Sequence, residues 1–418
     1  MLKGDNPNTV TFEGPTAVGS ASADGNVSMR DVINDLKERR DNVLAGGINC
    51  IPWPIESFRG EIPGIEQEQY IVITAQTKAG KTQFSSYVYL FYILDYVHDH
   101  QSQCSVHVIY FNMEESQMRI KQRYISYLLY KMYNIRIPPS DLRSTSADFP
   151  LTDDILAKIE SPEFMERLDF FDECVQFEAE DTNPTGMLRV CEEYARSVGE
   201  YTTYKRKSRN NPNQMIEVFK SYKPYDKKHY TIVLTDHAGL IDLERGMNLK
   251  ATMDKWSEYC VKYLRNRYKQ TVVNIQQQAM EVEGLEAIKQ KKMVPSVATL
   301  GDTKYTARDA NLVIGLFDPS FFGLPTWLGY KIQDVDGTGL RGYARFAYVL
   351  RGRDGEQGGV SPMFFDGAVC NFEGLPAPDN LNEISKYYTR AASIKSYRQK
   401  RKLASLGSMV LSLFIKHK

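Results

Sequence analysis

Apolar and polar positions along the chain alternate between two periods. Continuous, mostly apolar runs recur at Tyr70–Thr74, His107–Phe111, His229–Leu234, Gln270–Ile275 and Asn311–Leu316. Short runs of this kind, rich in β-branched residues, read as strands buried on both faces of a parallel sheet. Leu168–Phe171 reads as a further strand. Between the runs the apolar spacing becomes helical: Phe84, Tyr87, Val88, Phe91 and Tyr92, then residues 115 to 133, Thr185 to Arg196, and 251 to 269. This alternation predicts an α/β fold with one mostly parallel central sheet and helices on both faces. Tyr343–Leu350 and Met363–Phe365 read as antiparallel strands added at an edge near the C-terminus. No internal repeat is visible.

The ends of the chain differ from this body. Residues 1–27 are rich in Gly, Ser, Ala, Asn and Thr, and a disordered tail is expected there. Residues 28–47 predict an amphipathic helix. Met29, Val32, Ile33 and Leu36 share one face, Ser28 with Asp31 resembles a capping box, and Gly46–Gly47 is a stop. Its apolar stripe must pack on its own domain or on another subunit. Residues 48–378 form the main domain, and 379–418 a basic tail with Lys386, Arg390, Lys395, Arg398, Lys400, Arg401 and Lys402. That tail is a candidate contact for nucleic acid or a partner. A second basic stretch, 205–228, reads as solvated surface or a flexible loop.

Composition adds exclusions. Lys+Arg and Asp+Glu both number 52, so the formal net charge is +0 and no strongly basic nucleic-acid coat is present. Local patches stay open. The six cysteines form no C-x-x-C pair, which argues against a zinc ribbon and fits a reducing, cytoplasmic interior. The first 26 residues lack an apolar leader core, and no apolar run reaches the roughly 18 residues of a membrane span.

The chemistry concentrates at strand ends. Ala75, Gln76, Thr77, Lys78, Ala79, Gly80, Lys81 and Thr82 follow the first buried strand and precede a helix. That is the setting of a phosphate-binding loop, although the general pattern opens with Gly rather than Ala. Backbone N–H groups of such a loop cradle phosphate oxygens, Lys81 reaches the β- and γ-phosphates, and Thr82 holds Mg²⁺. The strand 107–111 ends in Asn112-Met-Glu-Glu115, so Glu114 or Glu115 can polarise a water. Dipole compensation at a helix start suits Glu115 better. Ile232–Thr235 followed by Asp236 has the form of a Walker B strand, whose acid serves the Mg²⁺ shell. Gln276, Gln277 and Gln278 follow Ile275, where an amide can sense a γ-phosphate. Arg351 and Arg353, two apart in Val349-Leu-Arg-Gly-Arg-Asp-Gly355, face one way on a strand. They are either phosphate-directed arginines or the tip of a surface hairpin.

Together these pieces resemble the DnaB-type replicative helicases, superfamily 4 ring helicases with a RecA-like P-loop NTPase core. The resemblance runs in the family's order from about Arg39 to Phe372. Its segments are Gly46-Gly-Ile-Asn-Cys-Ile-Pro52, the loop beginning at Ala75, Phe111–Glu115, Thr235–Ile241, Ile275–Gln278, Thr299–Lys304 with Arg308–Asn311, and Arg351–Gly355. The family's loop often starts with Ala. The resemblance implies ATP and Mg²⁺ as cofactors, with Lys81, Glu114, Gln277, Arg351 and Arg353 catalytic, and Thr82 and Asp236 at the metal. Arg353 becomes the arginine finger of a neighbouring subunit and Arg351 its companion. It implies a homo-oligomer, a hexameric ring, translocating on single-stranded DNA. The implied DNA contacts are Arg245, Lys250, Lys289, Lys291, Lys292, Asp302, Thr303 and Lys304. A primase or loader is a further expected partner. The helix at 28–47 takes the place of the family's linker helix. No collar domain or zinc-binding primase module is recognisable, which suggests a phage-type protein. The DNA-contacting Arg of the family's R-E-S-G loop is Gly301 here. The alternative is a RecA- or KaiC-like assembly ATPase that binds DNA without unwinding it.

Overall fold

The computed structural model describes residues 28–145, 149–208, 211, 213–290, 292–333, 338–353 and 358–416. The N-terminal tail, Lys291, and Asp354 and Gly355 of the arginine motif lie outside the described residues. In chain order the principal elements are α1 (Met29–Leu44), β1 (Tyr70–Ala75), α2 (Lys81–Ser86), α3 (Tyr92–Asp99), β2 (Ser105–Asn112), α4 (Gln117–Tyr133), α5 (Pro162–Cys174), β3 (Val175–Glu178) and α6 (Pro184–Ser197). Then follow β4 (Gly199–Lys207), β5 (Met215–Pro224), β6 (His229–Asp236), α7 (Leu249–Tyr259), β7 (Thr271–Gln277), α8 (Tyr305–Asp309), β8 (Leu312–Phe317), β9 (Ala344–Gly352), β10 (Val360–Asp366), β11 (Asn371–Gly374) and α9 (Leu381–Lys416). A single π turn, Tyr87–Phe91, joins α2 to α3.

Among the described residues, nine strands make one sheet in the order β11-β10-β9-β8-β1-β7-β6-β2-β3. From β8 to β3 every neighbour pairs in parallel, and β9, β10 and β11 are antiparallel additions at the far edge. Successive side chains along a strand point to opposite faces, so each buried run feeds two cores. Ile71, Ile73, Val108, Tyr110, Ile232 and Ile314 pack with α2 to α5 on one face. Tyr70, Val72, Ile109, Phe111, Val233 and Val313 pack with α6 to α8 on the other, around Trp256. This is the predicted α/β architecture, with β1 flanked on both sides.

Three stretches differ from expectation. Leu168–Phe171 is not a strand but lies inside α5, where Phe164, Phe171 and Cys174 are buried at helical spacing and Pro162 pre-sets the first turn. The edge strand is the next four residues, Val175–Glu178, paired with β2. The basic 205–228 stretch is part of an antiparallel ribbon, β4 with β5. The C-terminal basic segment is the helix α9, whose Ile384, Ala391 and Ile394 pack into a third cluster with Phe346 and Phe364.

The helix α1 carries the expected cap. Ser28 Oγ accepts from Asp31 N at 3.2 Å, and Asp31 Oδ2 accepts from Ser28 N at 3.0 Å. None of its residues is buried, and Leu36 and Leu44 are 61% and 77% exposed. Among the described residues its apolar stripe is therefore left uncovered. Among the described residues, no helix is long and apolar enough to cross a membrane.

Candidate nucleotide site

The loop 76–80 hangs from the end of β1, and α2 begins at Lys81. Gly80 has φ +97, a conformation that side-chain-bearing residues rarely adopt, and Lys78 is left-handed too, at φ +62. Left-handed turns at these two positions curl the backbone so that successive N–H groups converge, the arrangement that binds anions. Phe84 N then closes the first helical turn on Gly80 O at 2.8 Å. Lys81 is buried, its Nζ 3.4 Å from Gln76 O. Burial lowers the Lys81 pKa, opposed by the negative charge of Glu114, Asp236 and Glu283.

Asp236 ends β6, two strands from β1. Its Oδ1 accepts from Thr82 Oγ1 at 3.2 Å and its Oδ2 from Tyr110 Oη at 3.1 Å. Burial, then the nearby Glu114 carboxylate, push Asp236 up to about 7. A buried acid beside a hydroxyl and a second carboxylate is an oxygen donor set short of positive charge. These residues fit Mg²⁺, with Thr82 and Asp236 as the side chains that would serve it.

The two glutamates after β2 separate cleanly. Glu115 is ion-paired to the mostly buried Arg123. Glu114 is exposed and close enough to act electrostatically on Lys81, Asp236 and His237. The three glutamines of β7 also separate. Gln276 donates to Thr303 O at 2.8 Å and accepts from Thr306 Oγ1 at 2.5 Å. Gln278 donates to Thr74 Oγ1 at 2.8 Å and is bonded by Thr299. Both are spent on structure. Gln277 faces the site, and its amide lies 3.5 Å from His237 Nε2. Gly239 N donates to His237 Nδ1 at 3.2 Å, which fixes the ring beside Gln277.

Arg351 and Arg353 are not in this group. Arg351 pairs with Val313, which pairs with Val72. Arg353 N donates to Asn311 O, and Asn311 N to Tyr70 O. Arg353 therefore sits beside the first residue of β1 and Arg351 level with the third, about 17 and about 10 Å along the strand from its last residue, where the phosphate loop begins. Their guanidinium groups rest on the backbone of α8, Arg351 on Ala307 O at 3.1 Å and Arg353 on Asp309 O at 3.1 Å. Arg353 remains exposed.

The residues expected at DNA are scattered over the segments that follow β6 and β7, with Lys250 in the first turn of α7 and Lys289 at the end of a short helix. Arg245, Lys250, Lys289, Lys292, Asp302 and Lys304 are all exposed. Lys250 pairs with Asp254 at 2.7 Å. Thr303 departs from expectation: it is 2% exposed, and its hydroxyl donates to Asp254 Oδ1 at 2.5 Å. It shapes the loop and is not available to DNA, since its hydroxyl and carbonyl are held by Asp254 and Gln276.

Two further residues belong to the site. Arg345, fully buried on β9, donates from Nε to Ala79 O at 2.7 Å and pairs with Asp318 at 3.0 Å. It pins the phosphate loop from behind, and deleting one partner of so buried a pair costs about 3–5 kcal/mol. A lone Arg within the apolar Ala344–Ala347 run was the trace it left in the sequence. Glu283 left none. Its Oε1 accepts from Thr77 N at 2.6 Å, placing a carboxylate oxygen where the loop would hold phosphate. Glu283→Ala should therefore tighten nucleotide affinity roughly three- to ten-fold, the worth of one competing hydrogen bond at an exposed position. A fluorescent-nucleotide titration checks this, and an unchanged affinity would show that Glu283 does not compete.

No family model and no curated protein sequence matches the chain. Solved structures do. A DnaB-like replicative helicase, described with its interactions with primase, superposes with a TM-score of 0.55 at 14% identity, covering 84% of this chain and 67% of the other. A second solved structure, an isolated ATPase domain, gives 0.54 at 13% identity, covering 84% of this chain and 100% of the other. The parallel sheet, the left-handed loop before α2 and the antiparallel edge, set beside these two likenesses, identify the fold as the RecA-like α/β P-loop fold.

Proposed function

We propose that the chain is an ATP-driven replicative DNA helicase of the DnaB type, assembling as a hexameric ring with ATP hydrolysed between subunits. The observation that carries this reading is the separation of one catalytic set across the sheet. Lys81, Thr82, Asp236, Glu114 and Gln277 gather at the strand ends, and Arg351 and Arg353 stand toward the strand starts of the same chain. A site needing both halves is completed by a second copy.

On this reading Lys81 and the loop N–H groups bind the phosphates, and Glu114 takes a proton from the attacking water. Gln277 contacts the γ-phosphate and passes its presence through His237 toward the 299–304 loop. Mg²⁺ supplies charge neutralisation of the phosphates when bound. Arg353 reaches in from the neighbour. Loops bearing Arg245, Lys289, Lys292 and Lys304 grip single-stranded DNA in the ring centre. A few contacts per subunit, repeated around the ring, reconcile DNA binding with zero net charge. A primase is the partner to test first, since the DnaB-like relative is described with one.

The uncovered stripe of α1 fits packing on the adjacent subunit. Removing residues 1–47 should reduce the hexamer to smaller species by mass photometry and abolish strand displacement from a forked substrate. An unchanged hexamer would sink the role of α1. A stable ring with DNA-stimulated hydrolysis but no strand displacement would favour the assembly-ATPase alternative.

A further inference from the structure

Zero net charge hides a strong segregation. Residues 199–228 hold eight Lys and Arg against Glu200, Glu217 and Asp226, so the rest of the chain is net acidic. Lys205, Arg206, Lys207, Lys220 and Lys223 lie on the β4–β5 ribbon, which leaves the end of α6 and returns at the start of β6. The ribbon thus stands on the strand-start rim of the sheet, opposite the phosphate loop and the 299–304 loop.

The ribbon is firmly seated on one side. Tyr222 Oη donates to Ala195 O at 3.0 Å, Tyr201 and Tyr222 pack against Tyr268, and Arg267 lies 4.3 Å over the Phe219 ring. Tyr201, Phe219 and Tyr222 are taken up by this packing. Both faces reach solvent beyond this packing, with Lys205 and Lys207 on the face of Tyr201 and Lys223 on the other. Lys205, Lys207, Lys220 and Lys223 are exposed, and among the described residues none has an ion-pair partner. Glu217 and Glu200 stand opposite Lys205 and Lys223 in the register without closing a bridge. Lys205 and Lys207 share a face, about 7 Å apart along the strand.

From this we infer that the β4–β5 ribbon is a second nucleic-acid contact, one that holds the phosphate backbone of duplex DNA outside the ring centre. Protein interfaces are depleted in Lys and built on apolar anchors. Here the exposed large apolar side chains, Tyr204 and Met215, sit on opposite faces of the ribbon and form no patch. Single-strand grooves rely on several stacking aromatics; on the two strands Tyr201, Phe219 and Tyr222 are packed inward, and Tyr204 is the one ring left exposed. A two-stranded ribbon of unpaired lysines matches a duplex, whose phosphates are met by Lys, Ser and Thr and whose major groove admits such a ribbon. The inference rests on the helicase reading only for the nucleic acid being DNA.

The test is Lys205→Ala, Lys207→Ala, Lys220→Ala and Lys223→Ala combined in the full chain, titrated by fluorescence anisotropy with a blunt duplex and with an oligothymidine over a range of KCl. Duplex affinity should fall roughly ten-fold or more, and the log–log salt slope should become shallower by about 3 to 4, close to 0.9 for each phosphate no longer neutralised. Oligothymidine-stimulated ATPase should stay at the wild-type rate, and the same four positions as Arg should keep duplex binding. Unchanged duplex affinity and salt slope overturn the inference, whether or not an acidic protein then proves to bind the ribbon. Loss of both duplex and oligothymidine binding together also overturns it, since the ribbon would then be no separate site. A wild type without oligothymidine-stimulated hydrolysis, yet with ribbon-dependent duplex binding, would instead refute the helicase reading alone.

Discussion

Arg353→Ala is expected to lower ATP turnover by about three orders of magnitude while leaving nucleotide binding nearly intact. Arg353 lies beside Asn311 and the first residue of β1, on the far side of the sheet from Lys81. No rotation of its side chain spans the length of β1. Its contribution to hydrolysis must come from another copy, and a mixing experiment reads this directly. Arg353→Ala chains retain the phosphate loop, and Lys81→Ala chains retain the arginine. In mixed rings about one interface in four joins an intact loop to an intact arginine. Each variant alone should be inactive, and the mixture should recover part of the wild-type rate. A mixture no faster than its separate components would refute the trans assignment. Full activity of Arg353→Ala would remove the residue from the mechanism.

Glu114→Gln should slow the chemical step by roughly 10²- to 10⁴-fold, the range for a positioned general base. Glu114 is exposed at the site while the adjacent Glu115 is held by Arg123. The two acids should therefore fail differently. Glu114→Gln should bind a fluorescent nucleotide as wild type does, melt at the same denaturant midpoint and hydrolyse little. Glu115→Gln strands the buried Arg123 guanidinium, so it should lower the denaturation midpoint and spare most turnover in the folded fraction. Single-turnover ATPase beside urea denaturation separates the pair. The reverse pattern would exchange their roles.

Much of this site could be read before any coordinates. The loop from Ala75 to Thr82 was legible because its chemistry is local: a buried strand, a glycine and a Lys-Thr pair starting a helix. Asp236 was legible for the same reason, as an acid ending an apolar strand. The choice between Glu114 and Glu115 rested on dipole compensation at the helix start together with the resemblance, and that among three consecutive glutamines on the resemblance alone. In the fold, Arg123 pairs with Glu115, while Thr303 with Thr306 and Thr74 with Thr299 bond the flanking amides, which supports the proposed roles of Glu114 and Gln277. Local pattern misled at Leu168–Phe171, where four apolar-rich residues fit a strand and the burial of Phe164, Phe171 and Cys174 required a helix.

By itself, the sequence determined what short-range order can encode. It placed the alternation of strands and helices, the two sheet faces and the phosphate loop, because side-chain period and turn chemistry act over a few residues. Tertiary structure alone decided which distant residues meet. Glu283 reached Thr77 across 206 positions and Arg345 reached Ala79 across 266. It set Arg351 and Arg353 toward the opposite rim from the loop they are proposed to serve, and it folded a run of charge into a seated ribbon. Sheet order and register govern these meetings, and they arise from the packing of the whole chain.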